Sequence, residues 1–169
     1  QGNNLDISAS DPQTRIILGF QELITATYPQ LRLLRDITYR DEDISKSLNP
    51  SNSLFSEDAT NLDEAEQEIF SHIQMQQKAG VRVTLKTLTD KFEKKPYGWY
   101  LAAITCTVGK LNTRGKIECQ LDSNTLEGKE LEHALKNTQA HANLVLKPQQ
   151  EFSASQIRQL KDFYEEFFN

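Results

Sequence analysis

The chain has 169 residues, 37% of them apolar, and carries 24 acidic against 19 basic side chains for a formal net charge of -5. That length suits one domain with a helical extension, and the acidic balance argues against a strongly basic nucleic-acid binder while leaving local basic patches open. Two cysteines outside any CxxC pair are too few for a disulfide framework and suggest a cytoplasmic protein, no apolar run approaches the ~20 residues that span a bilayer, and the N-terminus (QGNNLDISAS) lacks the charged and apolar regions of a signal peptide.

Asp11 followed by Pro12 reads as an N-cap with proline at the first helical position. Ile16, Ile17, Phe20, Leu23 and Ile24 then recur at helical spacing until Pro29, so an amphipathic helix is expected. Residues 31–37 form a short apolar run of ambiguous type, and 41–48 suit a short helix closed by Asn49-Pro50. Residues 49–61, rich in Ser, Asn and Asp, read as a linker. The piece before it is too short to fold alone, which predicts that it packs on something else.

Asn61 with Glu64 matches a capping box, ahead of a helix whose face carries Leu62, Ala65, Ile69 and Ile73 and which Gly80 ends. Residues 81–83 are β-prone, and Thr84 caps a helix with Leu85, Leu88 and Phe92 inward. Pro96-Tyr97-Gly98 makes a turn, residues 99–112 a further helix, and 116–121 a half-buried strand with Ile117, Cys119 and Leu121 inward. A short helix over 129–136 and a second strand over 142–146, stopped by Pro148, follow. Ser153 with Gln156 opens a last helix whose apolar side is Ile157, Leu160, Phe163, Tyr164, Phe167 and Phe168.

This order of elements is that of a winged helix: two short helices around a turn make a helix-turn-helix, and the strand pair makes the wing. The fold class expected is therefore mostly α with a small β wing (α+β), a winged-helix-like domain with flanking helices. The division is 1–60 as helical extension and linker, 61–148 as the domain, and 149–169 as a C-terminal amphipathic helix.

In a winged helix the 99–112 helix would enter the major groove. Its core face is Leu101, Ile104, Thr105, Val108 and Leu111, and its opposite face offers Tyr100, Ala103, Thr107 and Lys110. Base edges are read by Arg, Asn, Gln or Lys, so this face resembles a packing surface more than a reading head. Non-specific contact with DNA backbone is the more plausible nucleic-acid role. Lys91, Lys94 and Lys95 before the turn and Lys110, Arg114 and Lys116 after the helix are its candidate residues, with a solvated charged face as the plainer alternative.

No GxSxG, HExxH or GxGxxG occurs, and Gly109-Lys110-Leu111 lacks the hydroxyl and the preceding glycine of a phosphate-binding loop. His72, His133 and His141 read as surface or cap residues, Cys106 and Cys119 as reduced thiols in or near a core, and Asp63, Glu64, Glu66 and Glu68 as carboxylates at the positive end of a helix. Catalytic residues, metal ligands and bound cofactors are not expected in this segment.

The stretch LKTLTDKFEKKPYGWYLAAITCTVGKLNTRGKIE over 85–118, above all KKPYGWYLAAI, resembles a motif of the large P-loop ATPase of bacteriophage exclusion (BREX) phage-defence systems. DPQTRIILGFQELITATYP and QIRQLKDFYEEFF also resemble parts of that family. The resemblance implies an internal segment of a much larger bacterial antiviral ATPase that acts with other defence subunits on phage DNA. ATP and magnesium would be bound elsewhere in that parent. An initial residue other than Met and an aromatic cluster at the very end fit the same expectation.

What the resemblance carries over is Pro96, Tyr97, Gly98 and Trp99 as the family motif. These residues read first as a tight turn that anchors the next helix through two large rings, with direct contact to a partner or nucleic acid as the alternative. Phe163, Tyr164, Phe167 and Phe168 are the candidate partner-docking residues, whether the partner is another defence subunit or a second copy of the chain.

Overall fold

The computed structural model describes residues 7–8, 11–49, 61–149 and 163. The first helix, α1 (Pro12–Thr27), starts where Asp11 accepts hydrogen bonds at 2.8 Å from the backbone N–H and the hydroxyl of Thr14, with Pro12 inside the first turn. A 3-10 turn (Leu31–Leu34) and a short helix, α2 (Asp43–Leu48), follow.

Helix α3 (Glu64–Lys78) is capped two residues later than its sequence suggests. Asp63, not Asn61, accepts from the N–H of Glu66, and Glu66 returns a bond to the N–H of Asp63. Both registers fit the capping-box spacing. A carboxylate is the stronger acceptor and also meets the positive end of the helix.

Helices α4 (Leu85–Phe92) and α5 (Leu101–Thr113) complete the helical layer. Thr84 caps α4 as expected, but Trp99 precedes α5 and does not open it. The sheet has strand order β2-β1-β3, with β1 (Ile117–Leu121), β2 (Asn124–Thr125) and β3 (Val145–Pro148) all antiparallel to their neighbours. Helix α6 (Gly128–Lys136) lies in the connection from β2 to β3.

Strand β2 has no counterpart in the sequence reading, because it is two residues long and its turn, Asp122-Ser123, lacks glycine. Both turn residues take positive φ, at 49° and 69°, as a two-residue hairpin turn of matching twist requires. Pro148 pairs with Ile117 inside β3 and so does not stop it short. The 81–83 stretch forms no strand; next to it Thr84 makes one bridge to Val145, reinforced where the N–H of Leu146 donates to the carbonyl of Val83 at 2.9 Å.

Cys106 and Cys119 are free and buried. His141 is buried too, and its Nε2 stands 2.9 Å from the carbonyl of Leu135, among the last carbonyls of α6. The imidazole thus ties the approach to β3 onto the end of that helix. The helix expected from Ser153 lies outside the described residues, except Phe163, which is helical and half exposed.

The core joins Ile69 and Ile73 of α3, Leu88 and Phe92 of α4, Ile104, Val108 and Leu111 of α5, Ile117 and Cys119 of β1 and Leu146 of β3. Leu34, Tyr39 and Ile44 belong to the same cluster. Residues 31–49 therefore do not merely precede the domain; they pack into it. Arg35 and Asp36, at φ 50° and 56°, turn the chain so that Tyr39 and α2 come down on α5.

Ile44 is 2% exposed. Ile44→Ala is expected to lower the unfolding free energy by about 2–4 kcal/mol, in a single transition by urea denaturation. A change near zero would mean that 31–49 is an independent appendage.

Candidate functional site

Helix α5 is the element a winged helix would place in a groove, so its surroundings decide its role. Residues 103–109 are buried without a break. Ile104, Val108 and Leu111 face the core, as expected. Ala103 at 0% and Thr107 at 1% exposure, assigned from sequence to the outer face, are covered as well.

The cover over α5 is shared by α3 and the 31–49 segment. Gly109 permits the approach: a Cβ there would collide with the side chain of Ser47. Thr113 donates to the carbonyl of Ser47 at 2.9 Å, and the thiol of Cys106 faces the carbonyl of Arg40 at 3.9 Å. Tyr100 accepts the N–H of Tyr39 at 2.6 Å. At the far edge the Ser45 hydroxyl donates to Glu132 of α6 at 2.5 Å, and Lys136 bonds both. No face along the middle of α5 is open to a base edge.

The six candidate phosphate-contacting residues do not converge. Lys94 and Lys95 are exposed in the turn after α4. Lys91 is half-buried, with Nζ 3.0 Å from Nδ1 of His72 and 5.5 Å and 5.8 Å above the rings of Phe92 and Tyr97. Lys110 donates to the Tyr39 hydroxyl at 2.9 Å, lies 5.0 Å over that ring and pairs with Asp63 at 3.5 Å. Burial pulls the pKa of Lys110 down, but the Tyr39 bond and the Asp63 and Glu66 carboxylates outweigh it, so the group ends above its ordinary value.

Arg114 lies 3.3 Å from Glu66 and donates to the carbonyl of Asn61 at 2.8 Å. Lys116 is half-buried at the foot of β1, where its carbonyl accepts the N–H of Gln149 at 2.8 Å. The first three residues stand at the start of α5 and the last three at its end. Lys110 sits in the last turn of this 13-residue helix and Arg114 and Lys116 lie beyond it, so most of the helix, about 14 Å or more at 1.5 Å per residue, separates the two groups. Between 122 and 128 the wing carries Asp122 and Glu127 and no basic residue.

Glu66 is buried, and its Oε1 faces Arg114 with no hydrogen-bond donor. Burial pushes its pKa up, against the pull of the Asp63 N–H and of Arg114. Nothing in the sequence marked this carboxylate as different from Glu64 or Glu68. Its depth follows from facing α5.

The Pro96–Trp99 turn is a mount. Trp99 stacks on Phe92 with ring centroids 5.0 Å apart, and Tyr97 packs on Phe92 at 4.5 Å and edge-on to Trp99 at 5.6 Å. The Tyr97 hydroxyl donates to Glu68 at 2.5 Å, and its pKa is pushed to about 12 by burial first and by Glu68 second. Toward the N-terminal segment, Trp99 Nε1 donates to the carbonyl of Gln30 at 3.1 Å, and the N–H of Gln30 donates to the carbonyl of Pro96 at 3.0 Å.

Gly98 has φ +64°, and a Cβ on it would fall 2.5 Å from the ring of Tyr28. The turn thus holds the start of α5 against Phe92 and also fixes the end of α1. That second role is invisible in sequence, because Gln30 takes part through its backbone.

Helix α1 itself has no buried residue; Ile16 is 60% and Phe20 61% exposed, and Ile17, Leu23 and Ile24 are also open. Phe163 is 54% exposed, while Tyr164, Phe167 and Phe168 lie outside the described residues. Among the described residues no group of His, Cys, Asp and Glu is arranged to hold a metal ion, and no helix is long and apolar enough to cross a membrane.

Two outcomes follow from the mount. Gly98→Ala is expected to destabilise the protein by about 1–3 kcal/mol, while Tyr28→Ala in the same chain recovers part of the loss, measured by thermal unfolding. Equal losses in both backgrounds would mean that the Tyr28 contact does not constrain the turn.

The second concerns pH. Burial first and Lys91 second lower the pKa of His72 below its ordinary value. The unfolded chain therefore takes up a proton that the folded chain refuses. The stability this group contributes is present above its unfolded pKa, about 6.5, and is lost as pH falls through the folded value. His72→Gln, which still accepts from Lys91, should flatten the fall in melting temperature between pH 7.5 and 5. An unchanged slope would assign the acid sensitivity to other groups.

Comparison with known families places a match over most of the chain. The family model described as BREX ATP-binding protein BrxC winged helix-turn-helix domain matches residues 30–150. No solved structure matches this chain.

Proposed function

The chain belongs to the winged helix-turn-helix family of the BREX ATP-binding protein BrxC, a module of a phage-defence ATPase, and from that premise we propose that it serves as a protein-docking connector and not as a DNA reader. The observation that carries this reading is the burial of α5 on both sides, by the core and by residues 31–49. A groove-reading helix needs one face in solvent before DNA arrives. Here that face holds Tyr39 and α2.

Electrostatics argue the same way. Phosphate binding draws on several cations acting together on one backbone. Here Lys110 and Arg114 already pair with Asp63 and Glu66, and the wing is acidic where it would approach DNA. What the domain offers instead is a rigid frame with apolar helical surface attached to it. On this reading its partners are other parts of the ATPase or other defence subunits. On this reading ATP and magnesium belong to other parts of the ATPase; Gly109 and Lys110 lie within α5 against Ser47 and Tyr39.

The test is fluorescence anisotropy with a labelled DNA duplex at about 50 and 200 mM salt, on the wild type and on Lys94→Glu/Lys95→Glu. These two lysines are exposed and lie off the buried network, so the variant keeps its fold. Arg114 is left intact because it faces a buried carboxylate. No saturable binding at either salt, in either protein, is expected. Binding that weakens steeply with salt and disappears in the variant would replace the docking reading with one of backbone contact at the α4–α5 turn.

A further inference from the structure

We infer that α1 is a dimerisation helix, which pairs antiparallel with α1 of a second copy of this chain about a two-fold axis at Phe20. The inference rests on the docking reading in taking α1 as an outward surface and names the occupant of that surface, and it can fail without that reading failing.

Helix α1 exposes Ile16, Ile17, Phe20, Leu23 and Ile24. At about 100° per residue they fall within about 60° of Phe20, while the charged residues of the helix, Arg15 and Glu22, lie about 140° and 160° round on its far side. Ile7 stands 3.0 Å from where a Cβ on Gly19 would be, about 100° round from Phe20, and leaves the stripe open. A helix of this length is marginal in water until its apolar face is covered.

The stripe is symmetric about Phe20. Ile17 and Leu23 stand three residues to either side, Ile16 and Ile24 four, and Gln13 and Thr27 seven. A two-fold interface requires that where residue i meets residue j, j also meets i. Two antiparallel copies centred on Phe20 meet that requirement throughout. Phe20 meets itself, Ile16 meets Ile24, Ile17 meets Leu23, and polar Gln13 meets polar Thr27 where the pair runs out into solvent. No charged side chain enters the contact.

Area and geometry allow the pair. Four of the five apolar side chains are more than half exposed, and together the five open on the order of 500 Å² per copy. A pair then buries ~1,000 Å², the size at which specific interfaces begin and at which weak, reversible ones are found. The root of the helix is fixed: Tyr28 is seated against Gly98, and both backbone groups of Gln30 bond the Pro96–Trp99 turn. Tyr28 follows Phe20 by eight residues, so the two roots stand at opposite ends of the pair, about 24 Å apart along its axis. The two domains therefore do not compete for one space. A partner of another sequence would use the apolar character of the stripe but not its symmetry.

The experiment is sedimentation velocity on the full chain from about 5 to about 200 μM, in the wild type, in Phe20→Asp, in Ile16→Glu and in Ile24→Lys. The wild type should pass from monomer to dimer over that range, and each variant should stay monomeric. An equimolar mixture of Ile16→Glu and Ile24→Lys should form a dimer again, because antiparallel pairing sets the two introduced charges against each other and leaves the other Ile16–Ile24 contact whole. That recovery also shows that both variants keep their fold. A wild type that stays monomeric throughout, a dimer unmoved by Phe20→Asp, or a mixture that stays monomeric would each overturn the pairing. None of these results bears on DNA binding, which tests the broader reading separately.

Discussion

The close approach of residues 31–49 to α5 is the contact on which the rest of the structure depends. It exists because Gly109 has no side chain to hold Ser47 away, and because Ile44, Leu34 and Tyr39 find apolar company once they arrive. Fully burying side chains of this size stabilises by about 1.5–3 kcal/mol each, a large share of what a domain of this size has in hand. The contact also converts a helix that is surface in most winged helices into an interior one. Interior helices tolerate the small and hydroxyl residues seen here, Ala103, Cys106, Thr105 and Thr107, because their polar atoms turn inward: Thr105 bonds the carbonyls of Leu101 and Ala102, and Thr107 that of Ala103.

The motif at 96–99 completes the frame from the other end. Phe92, Tyr97 and Trp99 form one aromatic cluster, and the indole N–H that such burial would otherwise strand is satisfied by the carbonyl of Gln30. One residue of the incoming segment thus meets a need of the core, and the core in turn fixes where α1 leaves. Stability and the presentation of α1 are coupled at a single turn.

Much of the fold was legible in sequence because helices announce themselves locally. Asp11-Pro12, Thr84 and Gly80 mark ends that the structure keeps, and the periodicity of 64–78 and 101–113 picks out the buried faces. What was not legible involves distance along the chain. Tyr39 meets Lys110, Ser47 meets Gly109 and Gln30 meets Trp99 across tens of residues, and nothing near Tyr39 or Ser47 hints at those partners. The two outer positions Ala103 and Thr107 illustrate the limit. Helical spacing puts them opposite the core face correctly, but spacing has no information on whether a second layer lies there.

The same limit explains why a count of lysines and arginines misleads about nucleic acid. Six basic residues bracket α5 in sequence, yet a field at a phosphate depends on where the charges end up and what already neutralises them. Lys110 lies among Tyr39, Asp63 and Glu66, and Arg114 faces a carboxylate that cannot escape to water. Removing Arg114 would leave that buried carboxylate without its countercharge, and such a loss is large because desolvation is no longer offset. The C-terminal cations of α5 are therefore held by the fold: their positive charge closes the interior between α3, α5 and the covering segment, and of the six candidates only Lys94 and Lys95 in the α4–α5 turn are fully exposed.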